Sequence, residues 1–292
     1  MERGIGYAVV AAVVWGLYLF YLKRAFRGYT ASTLTVLVNA FALGWYLPIL
    51  GVSFGFGDAA DALVGFGADD VGVLALTVVT IAGANVAFLR ALAIGDVSYV
   101  APINKVVPVF VLPIEVLFLG QFLTPLQIIG VFIATVAVYV ANFQGGSLLE
   151  PLRRAASSRA AQLALLSAVF FAVSDVGKRV GLQELAIPTT LWVPLLFGGV
   201  IVVLLPSVLR SPPSTIRSDL PQFVVAGGFV AVGEYITTLA FSLVPASIAS
   251  PIINAQAIVA VILGGVLLKE QYFGMRVVAA VLAVIGVTLI AI

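Results

Sequence analysis

The feature that most constrains this chain is a doubled arrangement of long apolar runs. From Asp96 to Asn142 two runs are split near Gly120-Gln121, and from Pro245 to Ala291 the layout recurs at an offset of about 149 residues, split at Lys269-Glu270. Each copy opens with a serine and a proline four residues apart, Ser98 and Pro102 in one, Ser247 and Pro251 in the other. Across the chain there are ten such runs, at 4–22, 30–50, 71–93, 97–119, 126–143, 160–180, 188–209, 220–243, 247–268 and 273–292. A run of about 20 residues at about 1.5 Å rise crosses about 30 Å of hydrocarbon. Lipid offers no partners to backbone polar groups, so each run is expected to be a helix.

Composition then removes most alternatives. With 62% hydrophobic residues, 10% charged and a mean hydropathy of +1.18, the chain is far from a soluble domain, in which about 25% of residues are charged. No Cys and no His are present. Thiol nucleophiles, the usual zinc sites and an imidazole base are therefore excluded, and neither an enzyme nor a cofactor or metal is expected. The net charge of +2 comes from scattered loop residues rather than a basic patch, so nucleic acid is not an expected partner. The first run lacks a small-residue cleavage site and reads as a retained span.

Five runs fall in each half, which predicts two repeats, residues 1–145 and 158–292, joined by a loop at 146–157. Because five is odd, the second repeat enters the bilayer from the opposite side. The expected fold is all-α, ten transmembrane helices in two inverted five-helix repeats around a central cavity. Residues 51–70 read as a Gly-rich acidic loop with Asp58, Asp61, Asp69 and Asp70. Taking loops alternately, Lys23, Arg24, Arg27, Arg153, Arg154, Arg159, Arg210, Arg217, Lys269 and Arg276 gather on one side, and the positive-inside bias puts both termini outside.

Ten spans in two fives, Trp15-Gly16 followed by Lys23, the Ser-x-x-x-Pro entries of spans four and nine, and Lys269-Glu270 before a span containing Gly286 together resemble the EamA family of the drug/metabolite transporter superfamily. The resemblance covers nearly the whole chain. It implies ten helices, an inverted repeat, a central cavity and export or exchange of small metabolites; it also implies cytoplasmic termini, against the charge bias. The chain departs from the family at Gly120-Gln121, where an acidic residue often follows glycine, and at Phe170-Phe171, where a second Trp-Gly is expected.

A charge near the bilayer centre costs about 2.5–3.5 kcal/mol on insertion scales and is kept only when paired or hydrated. Glu234 lies near the middle of span eight and Lys105 near that of span four; the repeat offset sets Asn85 opposite Glu234 and Lys105 opposite Ile253-Asn254. Lys105, Glu234, Asn85 and Asn254 are therefore the expected substrate-binding residues, with Gln256 added by proximity and Trp15 by the family resemblance. Lys105 and Glu234 either pair with each other or bind the two ends of a zwitterion. Glu234 is also the expected proton carrier, since a buried carboxylate readily exchanges protons. Asp175 reads as an i, i+3 or i+4 partner of Lys178 and Arg179 near the interface, and Arg90 and Glu115 as helix-end residues able to snorkel.

The expected function is secondary transport of a small polar metabolite, an amino acid being one option, by proton-coupled alternating access across the cell membrane. The expected partners are that substrate, the bilayer and protons, with a homodimer compatible. A sugar-phosphate or nucleotide-sugar exchanger is the alternative within the superfamily, and a structural or sensory membrane protein the alternative outside it.

Overall fold

The computed structural model describes residues 1–26, 28–94, 100, 104–120, 122–141, 158–210, 216–256, 278, 281–282, 284–286 and 288–290. Among them the elements are α1 (Glu2–Ala25), α2 (Ala31–Ser53), α3 (Phe56–Val64), α4 (Ala68–Ile94), α5 (Val107–Leu119), α6 (Pro125–Ala141), α7 (Arg159–Arg179), a π turn (Val180–Glu184), α8 (Thr189–Arg210), α9 (Leu220–Phe241) and α10 (Ala246–Asn254). No strand occurs among the described residues. Six helices, α1, α2, α4, α7 with its π turn, α8 and α9, are long and apolar enough to cross a membrane, and α5 and α6 are shorter apolar helices. The chain is a multi-pass membrane protein. The tenfold count is not reached among the described residues, because most of runs nine and ten, the entry of run four and the loop at 146–157 lie outside them.

The helix ends obey local chemistry. Thr30 accepts from the Thr33 N–H to cap α2. Thr124 and Gln127 cap α6 reciprocally, each side chain bonded to the other's backbone N–H. Gly120 closes α5 with φ +62, a left-handed conformation that glycine adopts without a Cβ penalty. Several hydroxyls inside spans are satisfied within their own helices, as in Thr77 to Val73 O, Thr80 to Leu76 O and Thr238 to Glu234 O, which removes the cost of a bare polar group in an apolar setting.

One expectation is corrected here. The stretch 51–70 is not simply loop: Phe56–Val64 forms the short helix α3. It puts Phe56, Leu63 and Val64 outward and buries Ala59 against the core around Tyr46 and Leu50.

The packing repeats as the sequence does. α4 packs on α7 and, with the halves exchanged, α9 packs on α1; α5 meets α7 as α10 meets α1; α2 meets α9 as α4 meets α8; and α2–α8 and α5–α10 are their own counterparts. Small residues allow close approach, since lipid provides no hydrophobic drive between helices. Gly286 in the last run lies against the Gly130 and Ala134 backbones of α6.

Candidate functional site

Two helices are interrupted at equivalent positions. In the first repeat Asn104 is helical, Lys105 and Val106 form a turn and α5 begins at Val107; in the second, α10 ends at Asn254 and Ala255 forms a turn. The offset of 149 residues carries Lys105 onto Asn254. Pro108 favours the first break, because it has no N–H to donate back to the Asn104 carbonyl. A broken helix inside a membrane protein frees backbone groups that must face protein or water, which makes it a natural place for a site.

Around these breaks the structure gathers four ionisable side chains. Lys178 at the end of α7 places its Nζ 2.6 Å from Glu234 Oε1 of α9, and both side chains are about as buried as the core, at 4% and 5% exposure. The Lys178 ammonium also lies 5.9 Å from the Phe241 ring centroid. Asp175, one turn before Lys178 on α7, accepts a 2.6 Å hydrogen bond from Ser250 Oγ of α10. Its carboxylate interacts electrostatically with Lys178, Glu234 and Lys105. The set holds two cations and two anions and is formally neutral, the condition under which buried charge is tolerable. Among the described residues no group of carboxylates is arranged to hold a metal ion.

The expected residues fall into place unequally. Lys105, Glu234 and Asn254 are linked through Asp175: Asn254 Nδ2 donates to Ser250 Oγ at 3.2 Å and to Ser250 O at 2.9 Å, and Lys105 lies within electrostatic range of Asp175. Asn85 does not join them; its Nδ2 donates to Ile81 O in its own helix. The amide that does act near Lys105 is its neighbour Asn104, which donates to Ser167 Oγ at 2.9 Å, while Ser167 in turn donates to Ala84 O. Gln256 is half-buried one turn beyond Ile253 and makes no polar contact among the described residues. Trp15 lies beside the cluster: its ring rests on Gly233, and its Nε1 donates to Thr237 Oγ1 at 2.9 Å.

Three sequence expectations are corrected. Glu234 pairs with Lys178 rather than with Lys105. Asp175 is held by Ser250 across the bundle instead of closing an ion pair along α7. Glu115 does not snorkel; it is fully buried, and its carboxylate accepts from the Ala246 and Ser247 N–H groups.

The sequence matches the family described as the EamA-like transporter family over residues 2–143 and again over 158–292. The chain belongs to the EamA-like transporter family. The two matched segments correspond to the two halves that the packing relates. Among curated proteins none matches the chain. A solved structure described only as a crystal structure of a protein superposes with a TM-score of 0.74 at 15% identity, covering 99% of this chain and 97% of that one, which speaks for a shared fold.

The contact at Trp15 gives a first expected outcome. Trp15→Phe keeps the ring against Gly233 but deletes the bond to Thr237, lowering stability by about 1 kcal/mol. Thr237→Val is expected to cost a similar amount, and the double variant no more than the larger single, as read from melting in detergent.

Proposed function

We propose that this EamA protein is a proton-coupled secondary transporter of a small zwitterion, an amino acid being the simplest, working by alternating access between two inverted repeats. What carries the reading is the neutral cluster Lys105–Asp175–Lys178–Glu234, built from α7, α9 and the interrupted stretch before α5, and so from both repeats. A site with separated cations and anions can exchange its internal partners for the ammonium and carboxylate of a zwitterion at no net change in buried charge. A phosphorylated sugar brings two negative charges toward two resident carboxylates, which disfavours the exchanger alternative.

Lys105 and Asp175 are the natural exchanging members. Asp175 is half-buried and has only a hydroxyl donor at hydrogen-bond distance, whereas Glu234 is held by Lys178 in close contact. In this reading Lys105 receives the substrate carboxylate and Asp175 its ammonium, while Glu234 accepts a proton when Lys178 turns away.

The test is uptake of radiolabelled amino acids into liposomes containing the purified protein, with and without an imposed pH gradient. Wild type is expected to accumulate at least one zwitterion under the gradient. Lys105→Met and Asp175→Asn are each expected to lower uptake by about tenfold or more, the factor attached to stranding one buried polar partner. Glu234→Gln is expected to transport without responding to the gradient. Glu234→Gln with normal gradient-driven uptake and a lowered melting temperature would leave it a structural role only.

A further inference from the structure

We propose that Glu115 and Arg179 form an ionic lock that shuts one end of the bundle, the end at which α10 begins. Glu115 is a buried ionisable group outside the cluster above. One of its oxygens accepts from the Ala246 N–H and the other from the Ser247 N–H, each at 2.7 Å. Arg179 stands behind it, with Nε 3.7 Å from Glu115 Oε1 and Nη2 3.1 Å from Glu184 at the exposed rim.

Three observations make this a lock rather than an ordinary helix cap. The first is its origin. A helix is usually capped by its own flanking side chain, but the residue before α10 is Pro245, which has no capping group, and Ser247 Oγ is buried without a partner. The cap comes instead from α5 in the other repeat, so it ties two bodies together at the positive end of the α10 dipole. The second is incomplete pairing. Arg179 is buried, yet its Nε and Nη1 have no hydrogen-bond partner among the described residues. A permanent bridge at that depth is expected to have its donors filled, whereas a contact that must open and reform leaves them unfilled in one state. The third is asymmetry. The repeat offset places Gly264 opposite Glu115, so the equivalent sequence position of the other repeat carries no carboxylate to form a second such lock.

The π turn supports the same end. Arg179 immediately precedes Val180–Glu184, and Gln183 from that turn donates to Phe241 O at 2.6 Å and Val244 O at 2.9 Å. The α9–α10 corner is thus held from α5 and from the π turn. Of these two holds, only the carboxylate comes from the other repeat.

The chain contains no cysteine, so one introduced thiol reports accessibility without background. Ser247→Cys replaces the unpartnered hydroxyl and leaves the backbone donor to Glu115 intact. In liposomes holding the full chain, the reaction of this thiol with a membrane-impermeant methanethiosulfonate is expected to be slow. Adding Glu115→Gln is expected to speed it about tenfold, and adding Arg179→Gln about threefold, since the first weakens both charge-assisted bonds and the second only their support. Unchanged labelling in a folded Glu115→Gln protein would overturn the lock. So would failure of both variants to fold, because a lock is dispensable for the fold and a static cap is not. The lock rests on the alternating-access reading in that a transporter must open this end, but no substrate enters the assay. A lock without uptake, or uptake without a lock, is therefore separately visible.

Discussion

Replacing Lys178 with methionine is expected to lower the stability of the folded chain by about 3–5 kcal/mol, the range found when one member of a buried ion pair is removed and the other is stranded. Glu234, itself buried, would then have no other cation within salt-bridge distance among the described residues. The double variant Lys178→Met, Glu234→Met removes both charges and fills a similar volume, so it is expected to recover most of the loss. Both changes are read from thermal or denaturant melting in detergent, followed by circular dichroism. A cost for Lys178→Met below about 1 kcal/mol would be that of a solvated surface pair and would mean that water reaches Glu234 freely. Recovery of stability without recovery of uptake would separate the architectural role of the pair from its role in transport.

Why Lys178 was not visible in the sequence while Glu234 was follows from how each sits in its run. Glu234 interrupts a run of apolar residues near its middle, where bilayer thickness alone forbids an unpaired charge. Lys178 and Arg179 close their run, and charges at the end of a run usually mark the water interface. The fold defeats that inference through the π turn: the helix continues to Glu184, leaving Lys178 and Arg179 a turn and a half inside. Nothing in local composition signals the extra turn, which is stabilised at a distance by the Trp192 ring against Gly181. Glu115 was misread for a different reason: its partners are backbone N–H groups, which carry no sequence signature.

The spans themselves were legible because the constraint on them is external. Hydrocarbon thickness sets their length, and the expected 220–243 and 188–209 lie within a few residues of Leu220–Phe241 and Thr189–Arg210. α3 was not legible: Gly55, Asp58 and Asp61 break the apolar pattern of a helix of only nine residues. Which side chains meet depends on how each helix is turned about its axis, and that is set by where small residues let neighbours approach. The repeat offset located the polar positions of each half; it did not reveal that Asn85 turns back on its own helix while Asn104 reaches Ser167.

The approach of α2 to α9 yields the second large effect. Gly227→Val is expected to cost about 3 kcal/mol or more, at the upper end of overpacking. A Cβ at this position would stand 2.6 Å from Phe41 Cβ, 2.7 Å from the Phe41 carbonyl carbon and 2.8 Å from Ala42 N. Two of those atoms are helix backbone, so the only relief is to move α2 away from α9, and with it the surroundings of Tyr235 and Glu234. The repeat makes the choice of residue instructive. The offset equates Gly227 with Val78, which is tolerated in α4 because Gly199 of α8 faces it. Each of the two related interfaces therefore has its glycine, but on opposite members of the pair, and the valine that suits one cannot be copied into the other. Gly228→Ala is the control: its Cβ would meet Trp45 Nε1 at 3.5 Å, an ordinary contact. Removing glycine from a helix interior is expected to raise stability there by about 0.5–1 kcal/mol. Melting in detergent should thus move in opposite directions for two adjacent glycines, and a tolerated Gly227→Val would show that α2 and α9 do not touch backbone to backbone.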